Sequence, residues 1–560
     1  MLSDDHLFSN IGIDSLGFHS PRHYVALKDL ALARKVDPAK YEKGLLSKEM
    51  RIAEVDEDII SLGLKAGYNA LLRGNISPKS IDALFVGTET EVYAAKSISN
   101  IFAEMLEISS NALTQDIYNA CAGGTLAILN AIGMIQNELI NKALIISADI
   151  SSYHLGSPGE PTQGSGAIGL VISRNPRIAI FSKKFGKFSG NVNDFFRPPN
   201  DKNARAFGAY SQDTYLNFQL KAYDDLIRNI GDFHADYYTF HAPYSKLPLK
   251  SMQHIILKRW IKHISDLPKI EIENSGIRSS IVKKLDHFLH DVSVLPEFIY
   301  LKLKEYGFSS NRLKQVSQWL ISNVKERVLP QLRVPMHFGN MYNAAIWAQV
   351  AYLIENYANA NDIIYFGSYG SGATCISGLL KVQDAFKYVI QTGPYINDFI
   401  DLKMKKSVQE YESIKNGNIK PQIKLGHIIE HKNNNNRGFT LSFCDEGCII
   451  PNIKGLDHCP KGHSGFHKRF FPLFAILESD PITQSDPNDL SYLHKGLVRV
   501  ADNAAKGGSL EYEIRRVENE NEQNPNAKGL LNWSPIYVPI PEKYLMKRDF
   551  LAQDVSVPLE

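Results

Sequence analysis

Along the first third of the chain the spacing of apolar residues switches repeatedly between two periods. Short runs rich in aliphatic and β-branched residues, "IDALFVGT" (Ile81–Thr88), "ALIISADI" (Ala143–Ile150) and "AIGLVIS" (Ala167–Ser173), have the length and composition of buried strands. Between them, "LAILNAIGMIQNEL" (Leu126–Leu139) predicts a helix apolar on nearly every face. Such a helix has no side to offer to water, so it belongs inside a layered α/β body.

The same pattern returns later. "YYTFHAP" (Tyr237–Pro243) and "IIYFGSYGSGA" (Ile363–Ala373) read as strands, and "NMYNAAIWAQVAYLIENYA" (Asn340–Ala358) as a second buried helix. Each strand runs into a polar or glycine-rich turn. Two such passages predict a duplicated α/β architecture, residues 1–175 and 176–410, with a site between the halves.

Two stretches fall outside that repeat. From about Pro248 to Val334, apolar residues recur at helical spacing with basic residues interleaved (Met252/Ile255/Ile256/Trp260/Ile264, then Ile277/Ile281/Leu285/Phe288/Val292, then Leu313/Val316/Leu320/Val324). This is a helical insertion, read as helices packed on the body with solvated outer faces, although basic amphipathic helices can also meet a membrane or a carrier protein. Residues 411–560 lose the α/β pattern and contain polar loop tips such as "EHKNNNNRGF", which marks an accessory region.

Composition narrows the function classes. Over 560 residues, 62 Lys and Arg nearly cancel 60 Asp and Glu, which leaves no basic footprint for nucleic acid. No apolar run reaches the roughly 18 residues of a membrane span, and the opening "MLSDDHLFSN" carries acids where a signal peptide carries bases. A cytoplasmic protein is expected. Its 5 cysteines, an odd number spread over a long chain, do not form a disulfide framework, so each needs its own explanation.

Cys121, in "NACAGGTLA", directly precedes the first buried helix. It is either a small core residue or a nucleophile whose pKa the helix N-terminus lowers. Glu89 and Glu91 follow a strand; in an apolar pocket a carboxylate becomes a base suited to neutral pH, and in a loop the pair is simply exposed. His241 emerges from an aromatic strand in "FHAPYSKL", where it could donate to a developing alkoxide or serve as structure. Asn340 could be only a helix cap, and the glycines of "GSYGSGA" only a turn or else a source of oxyanion N–H groups.

Taken in order, these stretches carry a resemblance. "GTETEVYAAKS", "NACAGGTLA", "SADISSYHLGSPGEPTQGSGA", "VNDFFRPP", "FHAPYSKL", "GNMYNAA" and "YGSGA" resemble the blocks of the hydroxymethylglutaryl-CoA synthases of the thiolase superfamily, from near the N-terminus to about Tyr411. The resemblance implies a layered αβαβα thiolase-like fold, a homodimer, and no cofactor for catalysis. It places the acylated cysteine at Cys121, the acid/base glutamate at Glu89 and the histidine at His241. Contacts to acetoacetyl-CoA fall on Thr162, Ser211, Lys246, Asn340 and Ser371. The implied reaction transfers acetyl from acetyl-CoA to Cys121, enolises it with Glu89, and adds it to the acetoacetyl-CoA ketone, whose oxygen His241 polarises and protonates. Hydrolysis then releases 3-hydroxy-3-methylglutaryl-CoA, as in the mevalonate route to isoprenoids. Backbone N–H groups at Cys121 and in the Tyr369–Gly372 turn are candidate oxyanion donors.

Ala122 departs from the aromatic residue many family members carry there and is similar to ketoacyl-ACP synthase III, which lacks the glutamate. Two other readings remain: a β-branching synthase acting on carrier-protein-bound acyl groups, and a non-catalytic acyl-CoA-binding scaffold. In the accessory region, Cys444, Cys448, Cys459 and His463 have spacings compatible with a tetrahedral structural zinc, with a reduced loop as the alternative.

Overall fold

The computed structural model describes residues 4–264 and 326–418, a few single positions excepted, and the backbone of five short strands between 438 and 514. One sheet of ten strands dominates. Across it run Tyr237–Phe240, Ile363–Gly370, Thr374–Val382, Ala179–Ser182, Phe8–His19, Ser165–Arg174, Lys142–Ile150, Ala83–Gly87 and Leu113–Ile117, with Gly186–Ser189 also paired to Thr374–Val382.

The order contains one pattern twice. Ala83–Gly87 lies parallel to Lys142–Ile150, which turns back antiparallel as Ser165–Arg174 and pairs with Phe8–His19. In the second half, Tyr237–Phe240 lies parallel to Ile363–Gly370, which turns back as Thr374–Val382 and pairs with Ala179–Ser182 and Gly186–Ser189. The first strands of the two halves pair with each other, so the sheet is continuous.

Helices Gly123–Gln136 and Asn343–Asn356 precede the equivalent strands of the two halves. Their alanines, Ala127 and Ala131 on one and Ala344, Ala348 and Ala351 on the other, belong to the same buried cluster as Ile145, Leu170 and Phe366 of the sheet. Small residues let backbones approach, which is why both helices fit inside the molecule. A polar thread crosses this layer: the Trp347 indole donates to Thr125 Oγ1 (3.1 Å), and the Thr125 and Ser368 hydroxyls are 2.8 Å apart.

Differences from the sequence expectation lie at element ends. The first helix starts at Gly123, three residues early, and the second at Asn343 rather than Asn340, because Tyr342 has φ +44°, outside helical backbone. Of the insertion, Leu247–Ile264 is a helix whose Met252 and Ile255 are buried with Tyr223 and Leu226. Ile256, Trp260 and Ile264 continue that helix, and the insertion positions named above from Ile277 to Val324 lie outside the described residues. Among the described residues, no helix is long and apolar enough to cross a membrane.

Candidate active site

The candidate site lies where strand ends of both halves meet the N-termini of the two buried helices. Strand Leu113–Ile117 leaves the sheet through Tyr118, Asn119 and Ala120, and Ala120 has φ +41°. A left-handed alanine costs on the order of 1–3 kcal/mol and persists only where its surroundings hold it. Tyr342 has the same left-handed φ at the start of the second helix, so both halves open their inner helix with a strained turn.

Two glycines permit the close packing around Cys121. A Cβ on Gly87 would stand 2.2 Å from the Gly124 nitrogen, and one on Gly370 would stand 2.5 Å from the Asn119 oxygen. Any side chain at either position would push its strand away from the cysteine turn. The first contact brings the Glu89 turn to Cys121; the second brings the Ile363–Gly370 strand, partner of the His241 strand.

Cys121 Sγ donates to Glu89 Oε1 at 2.8 Å, and the cysteine is buried. Burial, with Glu89 beside it, holds the thiol well above its ordinary pKa. The helix terminus therefore does not lower this thiol, contrary to the expectation from the sequence, because desolvation and a carboxylate in contact outweigh a partial charge. Glu89 is pushed up to about 8 by burial, then by the charge of Asp149. Glu91 is exposed.

Asp149 organises this region, and sequence reasoning missed it. Its Oδ1 accepts from the Thr88 hydroxyl (2.8 Å), the Glu89 N–H (2.9 Å), the Thr90 N–H (3.0 Å) and the Thr90 hydroxyl (2.9 Å). Its Oδ2 accepts from the Asn343 N–H (3.0 Å) and side-chain amide (2.9 Å), while Asn343 Oδ1 accepts from the Gly124 N–H (2.8 Å). Arg197 Nη2 donates to the Glu89 carbonyl at 2.7 Å. The signal available was an aspartate closing an otherwise apolar strand in "IISADI".

His241 directly follows strand Tyr237–Phe240, as Glu89 follows the equivalent strand of the first half, one residue further on. Its N–H binds the Gly367 carbonyl (2.9 Å), and its carbonyl accepts from Tyr215 Oη (2.6 Å). The ring is buried, Nδ1 has no protein partner, and burial lowers its pKa to about 3. The imidazole is neutral at physiological pH.

Thr162 and Asn340 are brought together: the Asn340 N–H donates to the Thr162 carbonyl at 3.0 Å, and Asn340 Oδ1 accepts from the Tyr342 N–H at 3.0 Å. Tyr342 and Tyr153 flank Phe195, with ring centroids at 6.0 and 6.3 Å, which makes an aromatic wall. Ser211 and the Ser371 turn meet through buried Asp194, whose carbonyl accepts from Ser211 Oγ and whose carboxylate accepts from the Gly372 N–H (3.0 Å) and Tyr369 Oη (2.6 Å). The Gly372 N–H is thus engaged and is not an oxyanion donor here. Lys246 stands apart, its Nζ on the Lys43 carbonyl at 3.3 Å.

Cys444, Cys448, Cys459 and His463 lie outside the described residues. Among the described residues, no group of three or more His, Cys, Asp or Glu side chains could hold a metal ion.

A buried thiol in contact with a carboxyl group whose pKa is pushed up to about 8 is equipped for acyl transfer and carbon acid chemistry. Comparison with known proteins agrees. The family profiles "Hydroxymethylglutaryl-coenzyme A synthase N terminal" and "C terminal" match residues 8–177 and 180–416. The chain belongs to the hydroxymethylglutaryl-CoA synthase family. It is an acyl-transferring, condensing enzyme of the thiolase superfamily.

Among curated relatives, the hydroxymethylglutaryl-CoA synthase of Enterococcus faecalis is 25% identical over 408 residues, 72% of this chain and 91% of that protein. The cytoplasmic enzyme of Homo sapiens is 29% identical over 401 residues, 67% of this chain and 72% of that one. Among solved structures, MvaS in complex with 3-hydroxy-3-methylglutaryl coenzyme A superposes with TM-score 0.60 at 23% identity, covering 83% of this chain and 99% of that one. The curacin-pathway HMG synthase with acetyl donor-ACP gives 0.58 at 21% identity, over 72% of this chain and 88% of that one. These two likenesses establish the thiolase-like fold. Residues beyond 416 fall outside both family profiles.

Proposed function

We propose that the enzyme condenses acetyl-CoA with acetoacetyl-CoA and water to give 3-hydroxy-3-methylglutaryl-CoA and CoA, with Cys121, Glu89 and His241 as its catalytic residues. The observation that carries this reading is the 2.8 Å contact between the Cys121 thiol and Glu89. A thiol held well above its ordinary pKa is a poor nucleophile until a base takes its proton, and Glu89 is in position to do so.

In the first step Cys121 Sγ bonds to the acetyl carbonyl carbon, the C–S bond to CoA breaks, and the thiol proton passes through Glu89 to the CoA thiolate. Glu89, ionised again, then takes a proton from the acetyl methyl group. The resulting enolate bonds to the ketone carbon of acetoacetyl-CoA, and the proton held by Glu89 passes to the new alkoxide, which gives the product hydroxyl and leaves Glu89 ionised. His241, with a pKa near 3, acts as a neutral imidazole that polarises the ketone oxygen through N–H rather than as an imidazolium that protonates it. Water finally cleaves the Cys121 thioester, which regenerates the thiol.

Thr162, Ser211, Asn340 and Ser371 line the acceptor side in this reading, and Lys246 suits a phosphate of CoA only after leaving the Lys43 carbonyl. The protein works as a cytoplasmic homodimer in the mevalonate pathway and needs no cofactor. The second reading, carrier-protein-bound substrates, draws on the likeness to the curacin-pathway synthase with its donor carrier protein.

Intact-mass spectrometry after incubation with acetyl-CoA, then acetoacetyl-CoA, is the test. An acetyl adduct on the Cys121 peptide that turns over to hydroxymethylglutaryl-CoA is expected. An adduct that forms only from acetyl carrier protein, or that turns over only with acetoacetyl carrier protein, selects the second reading, and no adduct from either donor overturns both.

A further inference from the structure

The loop 151–164 joins strand Lys142–Ile150 to strand Ser165–Arg174 and carries two residues of the site, Tyr153 of the aromatic wall and Thr162. Tyr153 lies close enough to Cys121 and Glu89 for their charges to act on its hydroxyl. The ends of the loop are pinned together: the Ser151 N–H and hydroxyl both donate to the Gly164 carbonyl (2.9 and 3.1 Å), and the Gly164 N–H donates to Ser151 Oγ (2.7 Å).

The span between them is braced by helix Val408–Lys415, far away in sequence. Val408 and Tyr411 are buried among Leu27, Leu30 and Tyr41, with Ile414 and Leu155 of the loop packed against the same cluster. Arg34 clamps loop to helix, with Nε and Nη2 on the Glu160 carboxylate (2.8 and 2.6 Å) and Nη1 on Glu412 Oε1 (2.5 Å).

Lys415 makes the second clamp. Its Nζ donates to Ser152 Oγ (2.5 Å) near the start of the loop and to Gln163 Oε1 (2.9 Å) near its end, so one group spans both. Gln163 Oε1 also accepts the Tyr153 N–H (2.8 Å), while Gln163 Nε2 donates to Tyr411 Oη (2.7 Å). Burial lowers the Lys415 pKa to about 8, which leaves an ammonium at pH 7. Hydrogen bonds from a charged donor are stronger than neutral ones. The Cys121 and Glu89 turns are held by a different set of contacts, through Asp149 and Asn343.

We propose that Lys415 is a positioning residue for the acceptor substrate, which holds Tyr153 and Thr162 in place through Ser152 and Gln163 and touches neither substrate nor the reacting atoms. The proposal rests on the condensation reading above.

Lys415→Met keeps most of the side-chain stem and removes the donors. At pH 7 its KM for acetoacetyl-CoA should rise about tenfold, the scale of a lost charge-assisted hydrogen bond, while kcat and the rate of Cys121 acetylation stay at the parent value. A lysine that only stabilised the fold would instead lower the active fraction, and kcat with it, at unchanged KM. Hydrogen exchange, which needs no turnover, should quicken in the peptide over residues 152–163 and not in the one over Gly123–Gln136. Unchanged KM, slower acetylation per folded molecule, or unchanged exchange over 152–163 would each overturn the proposal. Where Lys415→Met does not fold, Ser152→Ala removes one of the two acceptors and is read by the same measurements. A parent that uses only carrier-bound acetoacetyl groups is assayed with those. A parent that forms no acetyl adduct from either donor overturns the function proposed above, and the exchange measurement then decides the role of Lys415 by itself.

Discussion

Asp149 Oδ2 accepts both the backbone N–H and the side-chain amide of Asn343, at 3.0 and 2.9 Å. One residue at the head of the second inner helix is thereby tied to the carboxylate that shapes the Glu89 turn. The other end of the Asn343 amide holds the Gly124 N–H at 2.8 Å, in the first turn of the helix after Cys121. Asn343 thus joins the two halves behind the nucleophile.

Asn343→Ala leaves a buried donor and a buried carboxylate oxygen short of a partner, which costs about 1–3 kcal/mol. The urea midpoint should fall, and acetyl transfer to Cys121 should slow as the helix start and the Glu89 turn lose their common anchor. Equal midpoints and equal acetylation rates in parent and variant would show that the bridge carries neither stability nor alignment.

Glu89 sets the pH dependence. Its pKa is pushed up to about 8, so below that pH it is protonated and cannot take the thiol proton. The second-order rate of acetylation, which reports the free enzyme, should rise with pH and level off above about 8. Asp149→Asn removes a negative charge that raises Glu89, so its inflection should move to lower pH. Rapid-quench mass spectrometry between pH 6 and 9 reads both curves, and a flat parent profile would contradict Glu89 as the base.

The sheet halves and both inner helices were legible because buried elements leave continuous apolar runs, as in Ala143–Ile150 and Leu126–Leu139. Cys121, Glu89 and His241 were legible as residues at strand and helix ends, but their charge states were not. Helix position suggested a lowered thiol pKa; burial, and then Glu89 arriving from 32 residues away, push it up instead. Asp149, Asp194 and Asn343 were missed for the same reason. Each acts through partners far away in sequence, such as Asp149 with Asn343 or Asp194 with Tyr369, and nothing local distinguishes such an acid from one on a surface loop.

His241 should matter for condensation and not for acetylation. Its contacts are to the second-half strand and to Tyr215, whereas the thiol's base is Glu89. His241→Ala should still form the acetyl adduct while condensation falls about 10²–10³-fold, the usual worth of one donor to a developing oxyanion. With a pKa near 3 the imidazole should add no limb to the parent profile between pH 5 and 9. Loss of the adduct in this variant would move His241 into the first step.

A final prediction separates stability from chemistry. Arg73, at the end of helix Ile59–Gly74, meets Glu355 near the end of helix Asn343–Asn356 at 2.7 Å, with side chains 0% and 1% exposed. The remaining carboxylate oxygen accepts from the Ile396 N–H at 2.8 Å, and Arg73 also donates to the Pro394 carbonyl. Glu355→Ala removes the countercharge from a buried guanidinium and the acceptor from a buried N–H, a change that costs on the order of 3–5 kcal/mol. Glu355→Gln keeps an oxygen for Ile396 and should cost less. Because the pair touches neither Cys121 nor Glu89, the folded fraction of either variant should acetylate at the parent rate, while urea denaturation ranks them parent, Gln, Ala. A slower rate per folded molecule would mean that this interhelix pair also sets the position of the second inner helix at the site.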